Sequence, residues 1–188
     1  MRSIRGLFCL IIVSACCGIY GCSGTDVSYY GGEAKVSVPF GRNYNYEDIL
    51  VSRVVDGDTL VLENGKRIRL IGIDTPEMHT SEKLYREAQR SKTDIQTIMS
   101  MGKRASRFTR NLVGGKRVRL EFDAEKYDKY GRLLCYVYLK DGTFVNAEIV
   151  RQGYASLLTI PPNVKYADLF KELYREAREN NRGLWKEE

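Results

Sequence analysis

Histidine and cysteine are nearly missing from the part of this chain that can fold. The sequence holds one histidine, His79, and five cysteines, four of which (Cys9, Cys16, Cys17 and Cys22) fall within the first 22 residues. Cys135 is left alone in the apolar run Leu133 to Leu139, which excludes a disulfide framework and reads as a buried, unpaired core thiol. With no Cys or His cluster, a zinc site is excluded, and His79 reads as a surface loop residue. No internal repeat is visible, and the run Leu7 to Val13 is too short to span a bilayer as a helix.

What that run does fit is a targeting signal. Arg2 and Arg5 precede it and small residues follow, which is the order of a secretory signal over residues 1–22. Val13-Ser14-Ala15-Cys16 resembles the lipobox of bacterial lipoproteins, and Ile19-Tyr20-Gly21-Cys22 is a poorer second match because Tyr20 is bulky. The expectation is an exported chain, cleaved before Cys16 or Cys22 and lipid-anchored in the cell envelope, or else secreted after plain cleavage. Any membrane contact would then be through that anchor alone. Residues 23–46, rich in Gly, Ser and Tyr, read as a flexible tether with little structure before Ile49. Residues 47–188 remain as one domain, expected to be monomeric, and the 43% apolar content of the chain is enough for a core. The formal charge of +6 falls to about +4 once Arg2 and Arg5 leave with the signal, an excess that fits a polyanionic partner or simple solubility equally.

Strand signals open the domain. Ile49 to Val55, Thr59 to Glu63 and Arg67 to Ile73 are β-branched and apolar, and Asp56-Gly57 and Asn64-Gly65 between them are hairpin formers. Lys116 to Phe122 and Leu133 to Leu139 supply two more strands. Between the third and fourth, Thr93 and Gln96 read as a capping box. Ile95, Ile98, Met99, Ala105, Phe108 and Leu112 then recur at helical spacing, and Gly114-Gly115 ends the helix. A short helix is expected around Val145 to Gln152 and a last one over about Tyr166 to Asn180, with Leu169, Phe170, Leu173, Tyr174 and Ala177 on one face. The sum is an α+β, mainly β, OB-fold five-stranded barrel with about three helices.

Three stretches carry chemistry: Val55-Asp56-Gly57-Asp58-Thr59, Arg69 to Glu77, and Asp128-Lys129-Tyr130-Gly131-Arg132. Phosphodiester cleavage needs an attack on an anionic centre that repels its nucleophile, and a bound divalent cation screens that charge. Asp58 at the first turn and Asp74 at the end of the third strand can offer hard oxygen ligands to one ion. Glu77 can accept a proton from water or orient it. Arg69 and Arg132 can present planar donor forks to phosphate oxygens. Strict alternation would send Arg69 and Asp74 to opposite faces, so an irregularity is predicted near Gly72. Singly, each stretch has a plainer explanation: a turn, a helix cap, and a solvated loop.

Jointly, and in this order, the stretches resemble the thermonuclease, or staphylococcal nuclease, family. The likeness runs from about Ile49 to Trp185 and includes Val150-Arg151-Gln152-Gly153 and Gly183-Leu184-Trp185. It implies an OB-barrel nuclease that cleaves DNA and RNA with calcium and leaves 3′-phosphate products. Asp58, Asp74 and the Thr75 backbone carbonyl would be the calcium ligands, Arg69, Glu77 and Arg132 the catalytic set, and Tyr130 with Lys129 the neighbours of the bound nucleotide. Oxygen donors alone also favour calcium on chemical grounds, and arginine's high pKa suits electrostatic roles rather than proton transfer.

Two departures from the family pattern stand out. The tyrosines that pack near the base after the Val-Arg-Gln-Gly stretch are not matched in Tyr154 to Pro162, so base stacking is expected to be weaker or differently supplied. The segment Met78 to Met101 is longer and should rim the site. There Lys83, Arg86, Arg90 and Lys92 either contact flanking phosphates or form an exposed helical insert balanced by Glu82, Glu87 and Asp94. The rival to an enzyme is a catalytically inactive OB module that binds nucleic acid or protein; retention of both carboxylates, Glu77 and both arginines favours the enzyme.

Overall fold

The computed structural model describes residues 46–186, together with two strands, β1 (Val27–Tyr30) and β2 (Glu33–Val36). The expected signal over residues 1–22 and most of the expected tether lie outside the described residues. β1 and β2 pair antiparallel, Val27 opposite Val36 and Tyr30 opposite Glu33, where little structure was expected before Ile49. Val27, Tyr29 and Tyr30 in β1 and Val36 in β2 are strand formers, which accounts for the pairing. The chain from Tyr44 onward forms a separate compact unit.

That unit is built on five strands: β3 (Ile49–Asp56), β4 (Thr59–Leu62), β5 (Arg67–Leu70), β7 (Arg117–Glu121) and β8 (Leu133–Leu139). They close into a barrel in the order β3-β4-β5-β8-β7. The meander β3-β4-β5 is antiparallel, and closure comes from the parallel pairing of β5 with β8, Ile68 opposite Leu133 and Leu70 opposite Cys135. A small barrel needs strand curvature, and β3 supplies it through two register shifts against β4. Ser52 at the first shift donates its hydroxyl to the Val61 and Leu62 carbonyls. Val51, Leu60, Leu62, Ile68, Leu70, Leu133, Cys135 and Val137 fill the interior, each almost fully buried. Cys135 is an unpaired core thiol, as its surroundings in sequence indicated.

The third predicted strand breaks where the parity argument required. β5 ends at Leu70, Ile71 lies outside both strands, and β6 (Gly72–Asp74) starts afresh on Gly72 at φ +83°. A Cβ on Gly72 would lie 2.4 Å from the Phe170 ring, so position 72 needs glycine for its backbone and for the space. The freed backbone at the break is paired: Ile71 N donates to the Cys135 carbonyl, and the buried Asn146 amide donates to the Ile71 carbonyl at 3.0 Å. β6 then pairs with β9 (Ser156–Leu158), Asp74 opposite Ser156 and Gly72 opposite Leu158.

Among the described residues four α-helices flank the barrel rather than about three: α1 (Glu82–Ser91), α2 (Ile95–Val113), α3 (Val145–Arg151) and α4 (Ala167–Glu179). The additional one, α1, is the insert. α2 is capped by Asp94, which accepts from Thr97 N, not by the Thr93–Gln96 pair expected. Both pairs have the right spacing, and carboxylate at the N-terminal end of the helix dipole gains more than a hydroxyl. Gly114, as expected, ends α2. In α4, Phe170 and Ala177 are buried and Leu173 and Tyr174 pack on the core, whereas Leu169 of the predicted stripe is exposed.

Candidate active site

The turn joining β3 to β4 and the break between β5 and β6 meet at one end of the barrel. Leu70 N donates to the Asp58 carbonyl, which holds the two segments side by side. From behind, α2 reaches the turn through the buried Thr109 hydroxyl, which donates to the Gly57 carbonyl at 2.7 Å. Asp58 is 2% exposed, and all four of its acceptor positions are in use. One oxygen accepts from Thr75 N at 2.8 Å and Thr75 Oγ1 at 2.9 Å. The other accepts from Thr59 Oγ1 at 3.0 Å and pairs with Arg69 Nη1.

Arg69 bridges the two predicted carboxylates. Its Nη2 lies 2.6 Å from Asp74 Oδ1 and also donates to the Ile73 carbonyl. The kink at Ile71-Gly72 therefore does turn both side chains to one side. Burial lowers the Arg69 guanidinium pKa, and the charge and hydrogen bond of Asp74 pull it back. Arginine still remains protonated at any relevant pH.

A cavity of about 270 Å³ opens beside this bridge, lined by Asp56, Asp58, Arg69, Asp74, Thr75, Glu77 and Arg132, with Leu158 at its edge. All six expected metal-binding and catalytic residues thus share one cavity. A further carboxylate in the lining, Asp56, was not singled out from the sequence. Its Oδ1 is buried without a hydrogen-bond partner. A buried, unpartnered carboxylate oxygen beside two further carboxylates is a donor set suited to a hard cation. Among the described residues no three His, Cys, Asp or Glu side chains are gathered into a ready-made ion cage, because the Arg69 guanidinium sits between the carboxylates.

Glu77 and Arg132 are each held by their surroundings. α2 crosses directly over the Glu77–Met78 peptide at Gly102, where an added Cβ would lie 2.7 Å from the Glu77 carbonyl carbon and oxygen. Arg132 is clamped by Asp128, which accepts from Arg132 Nε at 2.6 Å and from the Arg132 and Tyr130 backbone nitrogens at 2.9 Å each. Desolvation alone would raise the Asp128 pKa; the hydrogen bonds from Arg132 and Tyr130 outweigh it and hold the carboxyl below its ordinary value.

A second cavity of about 360 Å³ shares Arg69, Arg132 and Leu158 with the first and extends along Lys129, Tyr130, Leu134 and Ile160. Tyr130 is 72% exposed, and its ring lies under the Arg132 and Lys129 cations. The stretch that lacks the family's tyrosines contributes Leu158 and Ile160 to the lining of this cavity. His79 is exposed in an irregular segment and lines neither cavity.

Residues 67–187 match the family described as staphylococcal nuclease homologue. The thermonuclease of Staphylococcus intermedius is 39% identical over 142 residues, covering 74% of this chain and 76% of that protein. The thermonuclease of Staphylococcus hyicus is 34% identical over 146 residues, 76% of this chain and 78% of that one. Endonuclease YncB of Bacillus subtilis is 32% identical over 163 residues, 84% of this chain and 71% of the relative.

Proposed function

The chain belongs to the staphylococcal nuclease homologue family, and from that premise we propose that it is a calcium-dependent endonuclease of DNA and RNA. The observation that carries the reading is the joint lining of one cavity by three carboxylates, Glu77 and two arginines. Asp58 and Asp74 would hold the ion in exchange for their contacts with Arg69, with the Thr75 carbonyl and the unpartnered oxygen of Asp56 as further donors. When bound, calcium screens the phosphate charge and favours attack by water.

The chain's own residues supply the rest. Glu77, beyond the rigid Thr75-Pro76 step, takes the proton of the attacking water or fixes its direction. Arg132, held through Nε by Asp128, keeps its two terminal nitrogens for the phosphate oxygens. Arg69 adds positive charge from inside the site, where low dielectric strengthens its pull on the transition state. Scission that leaves the phosphate on the 3′ side follows from attack with departure of the 5′ oxygen. Tyr130 and Lys129 would flank the nucleotide.

Digestion of single- and double-stranded DNA and RNA with calcium, then with a chelator, tests this. Folded protein that cleaves nothing with calcium would leave the inactive binding module as the reading. Glu77→Gln should lower kcat by about 10²-fold or more with KM little changed; equal loss of affinity would mean that Glu77 is misassigned. We also read residues 1–22 as an export signal with lipidation at Cys16 or Cys22, supported by the charged, apolar, small-residue order. Mass spectrometry of the mature N-terminus checks it, and an intact Met1 would refute it.

A further inference from the structure

The helix inserted after Glu77 is fixed in place and turns two arginines toward the site. Ser81 caps α1, its hydroxyl accepting from Leu84 N at 3.2 Å, and Leu84 is completely buried. Those two anchors set the helix's rotation. Arg86 and Arg90, four residues apart, therefore lie on one face with Cβ atoms about 5–6 Å apart. Together with Glu87 they border a cavity of about 360 Å³ whose fourth lining residue is Asp74 of the active site. Both arginines are exposed, and among the described residues neither has a hydrogen-bond or ion-pair partner.

We infer that Arg86 and Arg90 form a second phosphate position, gripping a phosphodiester that flanks the scissile one. The inference rests on the nuclease reading and deepens it. Two guanidinium forks on adjacent turns can converge on the oxygens of a single phosphate. The carboxylates that share the cavity do not cancel them: Asp74 is paired with Arg69 at 2.6 Å, so the two arginines face Glu87 alone and the cavity keeps a net positive charge. Asp74 also places the cavity immediately beside the scissile centre, so a strand threading the first site continues along α1. The position is built for the backbone and carries no base readout, so it adds affinity for length rather than for sequence.

The test compares two substrates with wild type and with the Arg86→Gln/Arg90→Gln variant in calcium buffer. A dinucleoside monophosphate carries only the scissile phosphate, whereas a single strand of about twelve nucleotides fills both positions. Glutamine keeps the helix propensity of these exposed sites, and the melting temperature checks the fold. For the longer strand, kcat/KM should fall at least about tenfold, and the slope of log kcat/KM against log salt should flatten by about 0.7, from the one phosphate no longer neutralised. The dinucleoside monophosphate should be cleaved at the wild-type rate. Parallel losses on both substrates, or an unchanged salt slope on the longer one, would overturn the inference. A wild type that cleaves neither substrate fails the nuclease reading itself, and that result is seen before any variant is made.

Discussion

Replacing Gly102 by alanine would put a methyl group 2.7 Å from the Glu77 carbonyl carbon and oxygen and 2.8 Å from the Met78 nitrogen. Carbon makes ordinary contact at about 3.5–4.0 Å, so roughly 1 Å must be found by moving backbone. α2 cannot easily give way, because Thr109 ties it to the Gly57 turn and Ala105 and Val113 are fully buried. Nor can Thr75, whose two hydrogen bonds lock it to Asp58. The displacement therefore falls on Glu77 and Met78. In stability, overpacking costs about 1–3 kcal/mol, and the gain in helix propensity from Gly to Ala returns about 0.8–1 kcal/mol. The net is a loss of between roughly zero and about 2 kcal/mol, readable as a shift in urea midpoint with an unchanged slope. In catalysis, a catalytic group displaced by about 1 Å costs on the order of 10²-fold in kcat. The assay is steady-state cleavage of a short oligonucleotide beside urea unfolding, for wild type, Gly102→Ala and Glu77→Gln. The expected pattern is a small change in stability with a large fall in kcat. Full activity together with raised stability would show that the α2 contact does not set Glu77 and would refute the reasoning.

Further outcomes follow from the arginine clamp and the kink. Asp128→Asn replaces one acceptor oxygen by a donor facing Arg132 Nε, so kcat should fall about tenfold as Arg132 loses its orientation, with a smaller effect on KM; unchanged kcat would mean that Arg132 needs no clamp. Because the folded Asp128 pKa lies below its ordinary value of 3.8, its stabilising contribution is complete above that pH and is lost as pH falls through the folded pKa. The stability gap between wild type and Asp128→Asn should thus be flat at neutral pH and close only in acid below about 4; a gap already closing near neutrality would contradict this. Gly72→Ala combines a φ of +83° with a clash on Phe170, and about 2–5 kcal/mol of stability should be lost in thermal or urea unfolding. Near-wild-type stability there would show that the break tolerates a side chain.

Much of the site could be read before the fold was seen, for reasons that differ residue by residue. Asp58 and Asp74 were accessible because hairpin turns and strand ends are marked by Gly and by changes of period. The irregularity at Gly72 followed from parity alone: residues five apart cannot share a strand face, so joint action of Arg69 and Asp74 demanded a break. Asp56 escaped because Asp-Gly is an ordinary turn pair, and only the buried, unpartnered oxygen marks it out. β9 escaped because Ser156-Leu157-Leu158 is too short for alternation to register, and its placement depends on the edge of β6. Gly102 escaped because a glycine inside a helical pattern signals weak propensity, whereas here it marks close approach of another backbone. The cap of α2 slipped by one residue because two overlapping pairs meet the same spacing rule.

The connection from Glu77 to α2 is pinned at both ends, by the Asp58–Thr75 bonds before it and by the Gly102 crossing after it. Between those pins lies α1, which takes no part in closing the barrel. Loop closure costs only about 0.6 kcal/mol for each doubling of length, so residues can be added or removed there, outside the buried Leu84 anchor, with little consequence for the barrel. A lineage, or an engineer, can thus rewrite the rim beside Asp74 while leaving the carboxylates and arginines where they are. The barrel holds the residues of the candidate site in place; the pinned segment is where their surroundings are free to change.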